Sequence, residues 1–261
     1  MENIYQFIDS ELKYIVENHR DIIKIQKIMR DKIYLGFYII SQKQSFFTPD
    51  NCLLQLHIND QFFKFKKIMM DKIIQKNHIK TAIASTEDIR SLSVLFDYKK
   101  TMKPIALGFE HGENIDKIEI PDGYIITLAN INETRAVTNI WQDIFNFYHI
   151  NLDENLDELR RTEVQIKNNN LWTISNKNEI IGFGAANFAY CTNNKVEIGF
   201  AIKPSYWKQG FATLMAKYLK WKCQENGNAA VAHCNYYHEA SEKTLCKAGM
   251  IPVHRKYEIE F

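Results

Sequence analysis

The run Val196-Glu197-Ile198-Gly199-Phe200-Ala201-Ile202-Lys203-Pro204-Ser205-Tyr206-Trp207-Lys208-Gln209-Gly210-Phe211-Ala212-Thr213 decides how this chain is read. Its first seven residues alternate, with Val196, Ile198, Phe200 and Ile202 on one face of a strand and Glu197, Gly199 and Ala201 on the other. The second face sets a carboxylate beside two very small side chains where a packed sheet would carry bulk. Glycine in a strand marks a bulge or a close approach of a ligand to the backbone. A solvent-facing Glu on a half-exposed strand accounts for the same pattern.

The run ends by entering a helix. Phe211, Leu214, Met215, Tyr218 and Leu219 recur at helical spacing, and Asn226-Gly227 supplies the stop. A strand, a short loop with Gly and Ala at its tight end and a helix start together present unsatisfied N–H groups at the positive end of a helix dipole. Such a place holds phosphate or pyrophosphate on main-chain donors, and Gly210 and Ala212 are small enough to let it approach. No GxxxxGK[ST] and no strand-linked GxGxxG is present, which argues against a nucleotide hydrolase or a dinucleotide fold.

Residues 196–250 resemble the core of the GCN5-related N-acetyltransferase (GNAT) superfamily, whose signature [Q/R]-x-x-G-x-[G/A] follows its fourth strand. Here that window reads Trp207-Lys208-Gln209-Gly210-Phe211-Ala212, with Trp at the first position. Tyr-Trp-x-x-Gly-Phe-Ala-Thr is similar to the variant of the ribosomal-protein N-acetyltransferase branch. A second stretch, His238-Glu239-Ala240-Ser241 followed by Thr244-Leu245-Cys246-Lys247-Ala248-Gly249-Met250, resembles the family's N-x-x-S and the later Gly-Phe. His238 replaces Asn and Met250 replaces Phe, while Ser241 and Gly249 keep their register.

The resemblance implies an α+β fold with a mixed, mostly antiparallel central sheet flanked by helices. It also implies acetyl-coenzyme A lying in a splay between the fourth and fifth strands, residues 196–202 and 229–234. By position, Phe200, Ala201 and Ile202 would offer backbone groups to the pantetheine arm. Trp207, Lys208, Gln209, Gly210, Phe211, Ala212 and Thr213 would wrap the pyrophosphate, and His238 and Ser241 would contact the far side of the cofactor. The implied reaction is attack of a primary amine of a small molecule or a peptide on the thioester. Glu197 is the candidate catalytic base, because amines with a pKa of roughly 10 are mostly protonated at neutral pH. A backbone N–H near Phe200 would face the developing oxyanion. Many family members carry a Tyr acid at the position of Leu245, so the general acid stays open. A non-catalytic acyl-CoA sensor or interaction module of the same fold is the second reading.

The rest of the chain sets bounds. Its 261 residues, 46% apolar and 13% aromatic, suffice for a real core in one large or two modest domains. Lys plus Arg number 33 against 31 Asp plus Glu, a formal +2, which gives no bulk field for nucleic acid or a membrane surface. Five cysteines without CxxC spacing, and a start at Met1 that mixes charged with apolar residues, point to a reduced, cytoplasmic protein without a secretion signal. His233, Cys234 and His238 lack HExxH or paired-Cys spacing, so no metal is expected.

Periodicity predicts helix over 2–30, strands over 33–40 and 52–58, helix over 59–75, a strand over 80–84 ending at Ser85-Thr86 with a helix after it, and a strand over 104–109. The polar stretch 110–123, with Gly112, Pro121 and Gly123, places the boundary near 120, giving an N-terminal α/β accessory domain at 1–120 and the acetyltransferase-like domain at 121–261. Beyond it come a strand (124–128), helices over 133–148 and 155–167, and a hairpin over 171–190 that turns at Asn176 to Asn178. The order of elements in 1–120 loosely parallels the second half, as a degenerate acetyltransferase repeat without the Gly-Ala loop would. A family-specific substrate or dimerisation domain competes with that reading, and a homodimer is compatible with it.

Overall fold

The computed structural model describes residues 23–43, 49–147, 155–188, 191 and 193–261. In chain order the strands and helices are β1 (Ile23–Arg30), β2 (Ile33–Ser41), β3 (Cys52–Ile58), α1 (Lys66–Asn77), β4 (Thr81–Ser85), α2 (Ile89–Phe96), β5 (Thr101–Glu110) and β6 (Ile125–Leu128). There follow α3 (Thr134–Phe147), α4 (Asn155–Lys167), β7 (Leu171–Ser175), β8 (Ile180–Ala186), β9 (Lys195–Ile202), α5 (Phe211–Glu225), β10 (Ala229–Asn235), α6 (Glu239–Lys247) and β11 (Ile251–Glu260). None of the described helices is long and apolar enough to cross a membrane.

Two compact units result. The first takes Met1–Gly108 with Cys234–Tyr237 and Val253–Phe261, and the second takes Phe109–His233 with His238–Pro252. Strands of the first unit run in the order β1-β2-β3-β4-β11-β5, and those of the second in the order β10-β9-β8-β7-β6. Pairing is antiparallel for β1/β2, β2/β3, β4/β11, β6/β7, β7/β8 and β8/β9, and parallel for β3/β4 and β9/β10. The sheets are therefore mixed and mostly antiparallel, with helices against them.

Three features differ from the sequence expectation. Residues 23–30 form a strand, not the end of a helix; residues 1–22 lie outside the described residues. Ile22, Ile25 and Ile28 fit a helical period, but Asp31 and Lys32 both adopt positive φ (48° and 70°), the geometry of a two-residue hairpin turn, and β1 closes on β2. Second, the helix expected at 59–75 begins as a 3-10 turn over Asp60–Phe65 before α1. Third, the first unit claims the end of the chain, where a division at 120 would leave it in the second. Here β11 pairs with β4, from Lys256 opposite Ser85 to Glu260 opposite Thr81. Ile259 is fully buried in the first unit's core with Tyr38, Leu53, Met70 and Leu95.

In the second unit the two sheet faces are covered by different helices. Val137 and Ile140 of α3 and Ile166 of α4 pack with Leu171, Phe183 and Ala201. Ala201 belongs to the Glu197 face of β9, so α3 covers the C-terminal end of that face. The helix α3 is started by a capping box: Asn130 Oδ1 accepts from the Asn132 N–H, and Glu133 Oε2 accepts from the Asn130 N–H. Against the opposite face, α5 buries Met215, Ala216 and Leu219 completely.

Candidate functional site

The strands β9 and β10 pair for only three residues: Lys195 with Ala229, Val196 with Ala230 and Glu197 with Val231. Beyond that rung β9 continues to Ile202, held on its other edge by β8 from Ile202 opposite Gly182 to Ile198 opposite Ala186. The edge of β9 that faces β10 is thereby released from the ladder over its last five residues, and parallel strands that part in this way leave a wedge with unpaired backbone groups on its wall.

A crevice of about 530 Å³ opens there, within the size range of small-molecule sites. Of the twelve residues expected at the cofactor, Phe200, Ala201, Ile202, Trp207, Lys208, Gly210, Phe211, Ala212, Thr213, His238 and Ser241 line it. Gln209 does not, and its side-chain amide instead donates to the Ser205 carbonyl at 3.3 Å. Ile202 is already engaged, because its carbonyl accepts the Trp207 indole N–H at 2.6 Å. That bond folds the loop back on the strand it leaves, and Trp207 stands edge-on to Phe147 at 4.7 Å. In this chain Trp thus pins the loop at the position where the family pattern has Gln or Arg.

Gly210 caps α5 in the left-handed region at φ +91°, and a Cβ built on it would meet nothing within 4 Å. The chain turns there through a conformation that favours glycine, beside open space. The first bond of α5 runs from the Leu214 N–H to the Gly210 carbonyl, so the N–H groups of Phe211, Ala212 and Thr213 have no intrahelical acceptor. Those three residues line the crevice together with Lys208, which is exposed and itself at φ 62°.

The other wall is one face of α6. Ala240, Ser241, Lys243, Thr244 and Lys247 line the crevice at helical spacing. Ser241 Oγ and His238 Nδ1 are 2.7 Å apart, and Lys243 is paired with Glu239 at 2.8 Å. Trp141 and Ile144 of α3 and Tyr206, whose hydroxyl donates to Glu179 at 3.0 Å, complete the lining. The Glu179 carboxyl is held below its usual range by Lys203 and by that hydroxyl.

Glu197 and His233 sit at the crotch where the strands separate. Glu197 Oε1 is 2.8 Å from His233 Nδ1, and the two side chains are 14% and 23% exposed. Gly199, next along the same face of β9, has nothing within 4 Å of a built Cβ, so the small residue leaves real space beside the carboxylate. The residues that sequence reasoning missed are His233, weighed there only as a metal ligand, and Trp141, Ile144, Lys243, Thr244 and Lys247. Counting 3.6-residue steps from Ala240 finds those on α6. Of the tyrosines near the second motif, Tyr237 is 75% exposed, and Leu245 is buried in α6.

A model of the acetyltransferase (GNAT) domain matches residues 125–251, and a second model of the same description matches residues 3–112. An acetyltransferase of the GNAT family from Colwellia psychrerythraea is similar in structure, with a TM-score of 0.73 at 18% identity over 94% of this chain and 89% of that one. A GCN5-related N-acetyltransferase from Kribbella flavida gives a TM-score of 0.58 at 14% identity over 98% and 95%. A tandem GNAT protein from the clavulanic acid biosynthesis pathway gives 0.58 at 8% identity over 91% and 82%. Curated proteins give no sequence match. With a parted β9/β10 pair, both signature stretches on one crevice and a domain match in each half, the chain belongs to the GNAT acetyltransferase superfamily and carries two GNAT-type domains.

Proposed function

We propose that the second unit transfers an acetyl group from acetyl-coenzyme A to a primary amine of a small molecule or a peptide. The observation that carries this reading is the crevice that brings the released end of β9 at Phe200 to Ile202, the Gly210 loop and one face of α6 together, with Glu197 on the last paired rung of β9 just before it. The pantetheine arm would lie on the released edge of β9 at Phe200 and Ala201. The pyrophosphate would rest on the N–H groups of Phe211, Ala212 and Thr213, with Lys208 and Lys247 supplying positive charge.

An ammonium must lose a proton before it can attack, and Glu197 takes that proton directly or through one water. The nitrogen forms its bond to the acetyl carbon while the bond to sulfur breaks, and a backbone N–H near Phe200 faces the oxygen on which charge develops. Leu245 has no proton to give, so the thiolate draws its proton from another source, water included.

The test is release of free thiol from acetyl-coenzyme A with a panel of amines, alongside calorimetry of coenzyme A binding. Amine-dependent thiol release is expected. Binding without turnover by any amine would leave the acyl-CoA sensor, which the Leu245 substitution favours. No binding would remove both readings.

A further inference from the structure

The first unit repeats the architecture of the second, and the two can be counted against each other. In each, a strand leads through a 3-10 turn into a helix, then a parallel strand, then a short helix: β3, α1, β4 and α2 in the first, β9, α5, β10 and α6 in the second. The 3-10 turns follow Asn59 and Lys203, so Leu56 stands where Phe200 stands, each two residues before its strand ends. Phe65 and Gly210 cap the long helices. Asp88 and His238 cap the short ones with nearly the same backbone (φ −100°, ψ 74° and φ −93°, ψ 72°), so Arg90 matches Ala240 and Ser91 matches Ser241. The parallel pair of the first unit also parts early, after Cys52 opposite Thr81 and Leu53 opposite Ala82.

What fills the wedge differs. Ser91 Oγ donates to the Leu56 carbonyl at 2.5 Å, deep in the unit, so the released strand edge is bonded to the short helix of the same repeat. The helix start is not an anion site either. The 3-10 turn runs straight into α1 with the Lys66 N–H on the Phe63 carbonyl, and Phe65 occupies the position where Gly210 opens the other repeat. At the mouth, Arg90 is bonded to the Asp60 carboxylate and lies over the Phe63 ring at 5.5 Å. A carboxylate of the turn thus meets the cation, and the large Arg replaces the small Ala240. Asp88 adds a second carboxylate, bonded to the Ser91 N–H at 3.0 Å. Lys66 Nζ lies over the same Phe63 ring at 5.0 Å, so this end is closed by the bulk of Phe65 and of the Asp60–Arg90 pair and not by negative charge.

We infer that the cofactor crevice of the first repeat is closed by the chain's own Ser91, Phe65 and Asp60–Arg90, so that each chain binds a single coenzyme A, in the second repeat. The location of that one molecule rests on the function proposed above; the closure of the first repeat does not. The experiment is calorimetry of coenzyme A with the full chain and with Gly210→Glu, joined to hydrogen–deuterium exchange with and without coenzyme A. Expected are one coenzyme A per chain, none for Gly210→Glu, and new protection confined to 198–215 and 238–247. Two molecules per chain, residual binding by Gly210→Glu, or protection appearing at 54–66 and 88–92 overturns the inference. If the native chain binds none at all, the closure of the first repeat stands and the proposed function falls.

Discussion

His233 Nδ1 and Glu197 Oε1 lie 2.8 Å apart across the last rung at which β9 and β10 are joined. Val231 faces Glu197 in the register, and His233 is two residues further along the same face, so the contact crosses the ladder diagonally. The imidazole fixes the carboxylate at the last paired rung, three residues before Phe200, the first residue of β9 that lines the crevice. Glu197→Gln is expected to lower kcat by roughly 10²- to 10⁴-fold with coenzyme A affinity unchanged. His233→Asn is expected to lower it by about 10²-fold through misplacement of that carboxylate. Rates of Glu197→Gln equal to wild type from about pH 6 to 9 would remove Glu197 as the base. A His233 variant that alone erases the acidic limb of the pH profile would transfer the role to the imidazole.

Gly210 joins two requirements at one position, a left-handed backbone and space beside it. Gly210→Glu is expected to abolish coenzyme A binding in calorimetry by setting bulk and negative charge before the N–H groups of Phe211 to Thr213. Gly210→Ala separates the two requirements. It carries about 1–2 kcal/mol of backbone strain for a left-handed L-residue, and its methyl enters the crevice without charge, so weakened but measurable binding is expected. Unchanged affinity in both variants would place the anion elsewhere.

Much of the site was legible because its signals are local. The alternation of Val196 to Ile202, the Gly210 turn and the stripe of α5 each depend on neighbours within a few residues, and all appear where periodicity places them. The indole bond from Trp207 to Ile202 and the Glu197–His233 pair were not legible, because both depend on the path of a loop or the register of a parallel strand set by residues far away. The assignment of 23–30 to a helix failed for a related reason: a sparse Ile pattern fits both periods, and only the hairpin partner decides. The expected division near 120 follows the polar stretch in the sequence, which carries no sign that β11 pairs with β4.

Lys220 of α5 is almost wholly buried, and its Nζ donates to the carbonyls of Gly249 at 2.9 Å and Ala248 at 3.3 Å. Burial pushes its ammonium below the usual lysine range. Gly249 turns at φ +76°, and a Cβ there would stand 3.1 Å from that Nζ. The second signature glycine is thus favoured first by its left-handed backbone, and its missing side chain leaves room for a lysine from another helix. Lys220→Met is expected to cost about 1–3 kcal/mol by stranding two carbonyls, read from denaturant unfolding. A variant as stable as wild type would reduce the lysine to a tolerated buried charge.

His111 supplies a pH dependence of known sign. Its Nδ1 accepts from the Ala230 N–H at 3.0 Å, a bond that needs the nitrogen unprotonated. Burial first, and the Lys220 charge second, hold its pKa below 6.5. The unfolded chain binds the proton more readily, so this contribution is fully present above about pH 6.5 and is lost as pH falls toward the lower folded value. His57 in the first unit is lowered by burial as well and acts in the same direction. Unfolding free energy between about pH 5 and 8 is expected to fall more steeply with acid in wild type than in His111→Gln. Parallel curves would show that the proton does not choose between the folded and unfolded states at this site.

A chain that starts near Asp122 tests the division of the fold. It retains the crevice residues but loses β4, the strand on which Tyr257 to Glu260 are registered, and with it the core around Ile259. The released strand would present Ile251, Val253, Tyr257 and Ile259 on an unpaired edge, a template for association with other chains. The fragment 122–261 is therefore expected to aggregate where the full chain does not, as read by light scattering and sedimentation at matched concentration. A fragment ending at Pro252 loses that strand as well and is expected to aggregate less. Should 122–261 stay monomeric and bind coenzyme A as tightly as the full chain, the pairing of β11 with β4 would contribute nothing to the second unit's integrity.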